Sequence, residues 1–206
     1  WVHGGSFSSG SKTSPELVDQ ATTFAKKGYV NVSINYRLST GCSASSPTAA
    51  CVTSIVDAKH DAQAAVRFLR ANAAEYGLDP EAFAAWGASA GGNLVSMIGT
   101  TGDQQTVLDD PSLGNPEVSS AVDAVVAWFP PVDFLQMAGQ FQELYPAACE
   151  GEPPSADSPD SPESKYLGSP VQEVPELAAA ANPISYIATA TELPVFAIAA
   201  GATAVI

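Results

Sequence analysis

Gly87-Ala88-Ser89-Ala90-Gly91 sets one hydroxyl among small residues in the pattern Gly-x-Ser-x-Gly, and Gly92 extends the run. A serine hydroxyl in a flexible chain is a weak nucleophile. Held on a sharp turn between a strand and a helix, it stands clear of the sheet edge and lies at the positive end of the helix. The backbone N–H of Ala90 then faces the oxygen of an attacked carbonyl, where negative charge develops. His3-Gly4-Gly5-Ser6 adds a second device. Its small residues let the backbone approach a substrate closely, so that the N–H groups of Gly5 and Ser6 complete an oxyanion hole. The chemistry these segments can do together is nucleophilic attack on a carboxylic ester or amide carbonyl. His3 reads as a residue that holds its loop by hydrogen bonds, not as a base.

Both segments need scaffolding, and the hydrophobic pattern supplies it. Trp1-Val2 reads as strand. Ser14-Pro15-Glu16 opens a helix with an N-cap and a proline at its first position; Leu17, Val18, Ala21, Phe24 and Ala25 form its buried stripe, and Gly28 ends it. Val30, Val32 and Ile34 alternate as a strand. A long helix is expected from about Ile55 to Tyr76, with Ala62, Val66, Leu69 and Ala73 on its buried face and Gly77 after it. Phe83–Trp86 is expected as a short strand, Ala90–Ile98 as a helix, and Val122–Phe129 and Pro194–Ala199 as two further strands. Strands alternating with helices imply an α/β protein with a parallel sheet covered on both faces. Ser89 therefore falls at a strand-to-helix turn, the context its motif requires.

The 206 residues are 46% hydrophobic and 15% charged, enough for one well-buried domain. A formal charge of −14 repels phosphate backbones and anionic lipid, which argues against nucleic acid and membrane surfaces as partners. No apolar run approaches the roughly 18 residues of a spanning helix. Beginning at Trp1 inside a strand, the sequence reads as a mature, truncated or partial product. Residues 141–176 hold eight acids and seven prolines against the single base Lys165, so they are expected as a solvated excursion, with a cap over the site as the alternative. Cys42 and Cys51 flank a loop rich in Ser, Thr and Ala, and Cys149 stands apart. A local Cys42–Cys51 disulfide would suit an exported, secreted protein; two free thiols are the alternative. No pattern of His or carboxylates accompanies these cysteines, so no metal site is expected.

At the level of whole segments the chain resembles the α/β-hydrolase superfamily of esterases and lipases. It lies near the hormone-sensitive-lipase-like bacterial carboxylesterases and the acetyl- and feruloyl-esterase-like branch. The two motifs above carry the resemblance, together with Asn35-Tyr36-Arg37-Leu38, Arg67-Phe68-Leu69-Arg70-Ala71-Asn72 and Tyr76-Gly77-Leu78-Asp79-Pro80. So do Trp128-Phe129-Pro130-Pro131-Val132-Asp133-Phe134, Ser161-Pro162-Glu163-Ser164 and Ala181-Asn182-Pro183-Ile184. The resemblance implies a three-layer fold around a mostly parallel sheet, a Ser-acid-His triad on Ser89, no cofactor and a small ester substrate. By the same resemblance Asp133 either supports the site wall or serves the structure alone.

Against that pattern the chain departs in two places. The family order is serine, then acid, then histidine, yet His3 and His60 both precede Ser89. His60 shares a helix face with Ala64, Arg67 and Ala71 and is expected to be an exposed helix residue. By the resemblance, Ala204 stands where the triad acid belongs, and the triad histidine would lie beyond Ile206. The first strands of the sheet and the His-bearing region are accordingly expected to be missing from this sequence. A sheet so shortened would expose its edges and favour association with itself or a partner. The leading expectation is a serine carboxylesterase working through an acyl-enzyme on Ser89; the alternative is a non-catalytic or truncated hydrolase-fold protein that binds or scaffolds.

Overall fold

The computed structural model describes residues 1–42, 54–102, 104–109, 114–144, 155–190 and 192–199. Three parallel strands, β1 (Ala84–Ala88), β2 (Ala124–Trp128) and β3 (Val195–Ala199), lie in that spatial order. β1 pairs with β2 from Ala84↔Ala124 to Ala88↔Trp128, and β2 with β3 from Ala124↔Val195 to Trp128↔Ala199. The sheet goes on past β1 as single bridges, Val2 to Gly87 and Val2 to Ile34, both parallel. The expected strand Val30–Ile34 is thus reduced to one bridge. Among the described residues the pairing there is Trp1 N to Val32 O at 2.8 Å and Ile34 N to Trp1 O at 3.1 Å.

Helix α1 (Pro15–Ala25) starts at its proline as expected and covers one face of the sheet. Phe24 meets Trp1 and Trp86 edge-on at 5.7 and 5.1 Å, and Trp1 stacks on Trp86 at 4.6 Å. Of its expected buried stripe only Leu17 is buried, and Val18 is exposed. On the other face lies α4 (Ala90–Thr101), every residue of which is buried. It packs on β1 and β2 and beneath α2 (Ser54–Ala71). Gly99 allows the closeness, since a Cβ there would come within 2.6 Å of Val125 Cγ2 and 2.7 Å of Phe196 Cζ.

The long helix expected to reach Tyr76 breaks at Asn72, and the short α3 (Ala73–Tyr76) follows, ending on left-handed Gly77. Asn72 Nδ2 turns back to donate to Phe68 O at 2.8 Å, a side-chain bond that competes with the helical ladder. His60 was expected on an exposed face but is only 1% exposed, and Lys59 and Gln63 beside it are buried. The polar face of α2 is covered by the connection from α4 to β2, which periodicity within α2 cannot reveal. Lys59 holds that connection. Its Nζ donates to Asp109 Oδ1 at 2.7 Å and to Thr106 Oγ1 at 2.9 Å. Arg70 does the same farther on, donating to Ser119 O and Ala121 O at 2.5 and 2.7 Å.

The Pro- and acid-rich stretch is not a solvated excursion where it is described. After α5 (Phe134–Leu144), the chain forms α6 (Pro162–Leu167), a 3₁₀ turn at Val171–Glu173 and α7 (Pro175–Ala180). Prolines keep these pieces short by opening them, and Ser161 caps α6 by accepting from Ser164 N at 3.0 Å. Tyr166, Leu167 and Val171 join the main core, where Tyr166 stacks on Phe7 at 3.8 Å.

A partly buried ion pair and a buried carboxyl make this packing testable. Burial opposes ionisation of Asp109, but bonds from Lys59 and Thr106 outweigh it and hold the carboxyl below its usual 3.8. Lys59→Met leaves that carboxylate unpaired and should cost about 3 kcal/mol in urea unfolding at pH 7. The double variant Lys59→Met/Asp109→Leu should recover most of the loss. Burial pushes the Glu163 carboxyl above its ordinary range, offset in part by a backbone N–H. A folded-state pKa above the unfolded one stabilises fully below the unfolded value, and that stabilisation is lost as pH rises through the folded value. Glu163→Gln should therefore raise the urea midpoint at pH 7, and the gain should vanish toward pH 4.

Candidate active site

Ser89 sits between β1 and α4 with φ 53° and ψ −122°, backbone angles that a side chain rarely adopts. Two bonds hold it there. Ser89 N donates to Trp128 O at 2.9 Å, and Ser89 O accepts from Asn93 N at 3.1 Å. The turn is possible because its neighbours lack side chains. A Cβ on Gly87 would collide with the carbonyl of Gly91, and one on Gly91 would collide with the carbonyls of Val2 and His3. A Cβ on Gly92 would lie 3.0 Å from Trp128 O. Ser89 is half-buried, and its Oγ has no hydrogen-bond partner among the described residues.

The loop after Val2 closes over this turn. A Cβ on Gly4 would lie 2.9 Å from Ala88 O and 3.3 Å from Ser89 Cβ, so His3-Gly4-Gly5 runs directly against the serine. Gly5, Ser6 and Phe7 follow one another at φ 116°, 54° and 57°. This reversal lets Gly5 O accept from Ser8 N and Ser9 N at 3.0 and 2.9 Å, while Gly5 N, Ser6 N and Ala90 N donate to no backbone carbonyl among the described residues. Unengaged N–H groups around a serine hydroxyl, one of them opening a helix, are a place where negative charge on oxygen can be held.

His3 belongs to the loop's support. It is buried, its Nδ1 is 2.7 Å from Gly4 O, and its ring stacks on Tyr36 at 4.4 Å. Tyr36 Oη donates to His3 O at 3.1 Å, and burial raises the phenol above its usual pKa, so it remains a neutral donor. Asn35 Oδ1 accepts from Lys12 N at 2.7 Å at the far end of the same loop. Arg37 reaches Asp61 and Asp57 on α2 at 2.9 and 2.7 Å. The segment Asn35–Arg37 thus ties the loop to the layer behind it, a role that its residue types alone did not disclose.

His60 lies on α2 and makes no bond to Ser89 Oγ. Asp133 caps α5, accepting at its backbone from Gln136 N and Met137 N at 3.1 Å and at Oδ2 from Gln136 Nε2 at 2.7 Å. Ala204 lies outside the described residues, as do Cys51 and Cys149; Cys42 is disulfide-bonded. The residue that sequence reasoning missed is Asn93. Wholly buried, it donates from Nδ2 to Pro131 O at 2.9 Å and to Ala181 O at 3.3 Å. It joins the helix that carries Ser89 to the segments after β2 and α7. Its place one turn after the serine was the available signal.

The glycine contacts predict a contrast. Gly91→Ala should destabilise the fold by about 2 kcal/mol, because backbone must move to admit the methyl group. Gly139→Ala on α5, where a Cβ meets nothing within 4 Å, should instead stabilise by about 0.5 kcal/mol in the same urea titration.

The fold is shared with known proteins. The BD-FAE family model matches residues 1–204. The structure of a bifunctional GH43-CE protein of Bacteroides eggerthii is similar at a TM-score of 0.73 and 29% identity, over 96% of this chain and 25% of that one. A truncated form of a carbohydrate esterase from gut microbiota is similar at 0.72 and 25% identity, over 100% of this chain and 66% of that one. The apo form of Thermogutta terrifontis esterase 2 shares the fold at 0.56 and 22% identity, over 98% of this chain and 70% of that one. The chain thus spans a quarter of the first of these proteins and 66% of the second.

Proposed function

The chain belongs to the BD-FAE family, an esterase/lipase-like group of α/β hydrolases, and from that premise we propose that it is a serine carboxylesterase acting on small esters. The observation that carries this reading is the backbone at Ser89. A serine held at positive φ, at the head of a wholly buried helix and against a loop with unengaged N–H groups, is costly to fold. Hydrolysis of an ester uses each part of it.

Ser89 Oγ attacks the carbonyl carbon while its proton passes to a base, and the carbonyl electrons move onto oxygen. The N–H groups of Gly5, Ser6 and Ala90 hold that oxyanion. Their preorganisation needs no reorientation of solvent, and loss of one such donor typically costs about 100-fold in rate or more. Collapse of the tetrahedral intermediate expels the alcohol, which takes up the proton, and leaves the acyl group on Ser89. Water repeats the sequence and releases the acid. The described residues supply the nucleophile and the oxyanion donors; His3 is engaged by its own loop and does not serve as the base. The name of one relative, a carbohydrate esterase from gut microbiota, supports an ester of a carbohydrate as the substrate class.

The test is the initial rate of p-nitrophenyl acetate hydrolysis by the protein and by Ser89→Ala, with intact mass measured after exposure to paraoxon. The parent should turn over the ester and gain a diethylphosphoryl group, and the variant should do neither, its rate falling by at least about 1,000-fold. Equal rates without phosphorylation of Ser89 would overturn the esterase reading and favour a protein that keeps the fold for binding.

A further inference from the structure

We propose that Phe129 is a specificity-determining residue of the site at Ser89, its ring receiving the apolar carbon skeleton of the ester beside the scissile carbonyl. This assignment rests on the role proposed above for Ser89. β1 and β2 end at one level, since Ala88 pairs with Trp128 and Ser89 N donates to Trp128 O at 2.9 Å. Phe129 follows that acceptor. Across one peptide bond, this sets the backbone nitrogens of Ser89 and Phe129 within roughly 5 Å of each other. Both residues stand at positive φ, 53° and 38°.

A phenyl ring is a costly occupant of such a position. The chain turns there in tight quarters, because a Cβ on Gly92 would lie 3.0 Å from Trp128 O and 3.2 Å from Pro130 Cβ. The turn is held from three sides: by Ser89 N on Trp128 O, by Phe129 N donating to Ala199 O at 2.6 Å, and by Asn93 Nδ2 donating to Pro131 O at 2.9 Å. Glycine adopts that φ freely, whereas a bulky side chain is strained by it. Packing does not offset the strain. The ring is 40% exposed, lies outside the hydrophobic core and the side chains packed on it, and meets no other aromatic ring among the described residues. Strain of this kind gathers at sites that bind or react.

What the ring meets follows from the order of the segments. Val2 bridges Gly87 on one side of β1, and β2 pairs on the other. The oxyanion donors Gly5 and Ser6 follow Val2, so the ester carbonyl oxygen turns to that side. The two other substituents of a trigonal carbonyl carbon point away from its oxygen, toward the end of β2, where Phe129 stands exposed. A phenyl ring offers no hydrogen-bonding group, so what it recognises is carbon, in the acyl chain or in the alcohol.

The test divides kcat/KM of each variant by that of the parent, so that the intrinsic reactivity of each ester cancels. One series keeps p-nitrophenol as the alcohol and lengthens the acyl group from acetyl to hexanoyl. The other keeps acetyl and enlarges the alcohol from ethyl to benzyl. Phe129→Ala should lower the preference for the larger ester about tenfold in at least one series, which identifies the branch against the ring, and Phe129→Tyr should keep the parental preference. Phe129→Gly should lose the same preference yet unfold at higher urea than Phe129→Ala, since glycine alone escapes the strain. Equal losses for small and large esters in both series, or a preference unchanged from the parent, would overturn the assignment with Ser89 still the nucleophile. A Phe129→Gly protein no more stable than Phe129→Ala would also count against it. Hydrolysis that survives Ser89→Ala would overturn the role of Ser89, and this assignment with it.

Discussion

Everything at the candidate active site depends on one close crossing of backbone on backbone. The chain passes from β1 into α4 beneath the segment Val2–Gly4, and there the carbonyls of Val2, His3, Ala88 and Gly91 occupy the space that side chains at Gly4, Gly87 and Gly91 would need. Packing of this kind is rigid, because no rotamer can yield to relieve it. It fixes the height of Ser89 above the sheet and the approach of the Gly4-Gly5 loop to it. The bond from Ser89 N to Trp128 O adds the neighbouring strand, so that the serine is referenced to two strands and one loop at once.

Around that crossing, the polar groups inside the protein serve to locate segments that have little regular structure of their own. Tyr36 holds the glycine loop through His3, and Arg37 carries the same segment onto α2. Asn93 brings the segments after β2 and α7 to the helix behind Ser89. Lys59 and Arg70 hold the connection between α4 and β2. Each bond is modest on its own, about 1 kcal/mol net, and more where an ion takes part. Their common effect is geometric: irregular chain is held within bonding distance of the helices and strands that border the serine.

The described sheet has an unequal surface. β2 has a strand on each side, whereas β3 carries Val195 and Ile198 at 75% and 64% exposure. The chain spans 25% and 66% of the two relatives with the higher TM-scores.

How far the residues disclosed their own structure depended on how local the deciding forces were. Pro15 opening α1, Gly77 ending α3 and the short apolar runs of β1 and β2 are matters of a few bonds and local burial, and they are legible from residue types. The small residues around Ser89 are legible for the same reason, since a turn so tight excludes any other kind. Burial of His60, Lys59 and Gln63 was not, because a helix face that looks polar is covered by chain some 40 residues away or more. Nor was the break at Asn72, where a side-chain bond competes with the ladder, or the entry of Tyr166 and Val171 into the core from a stretch rich in proline and acid. By itself the sequence determined which residues can form a strand-to-helix turn with an exposed hydroxyl. Tertiary structure alone decided what lies against them, because non-local packing sets which polar face meets water and which meets another segment.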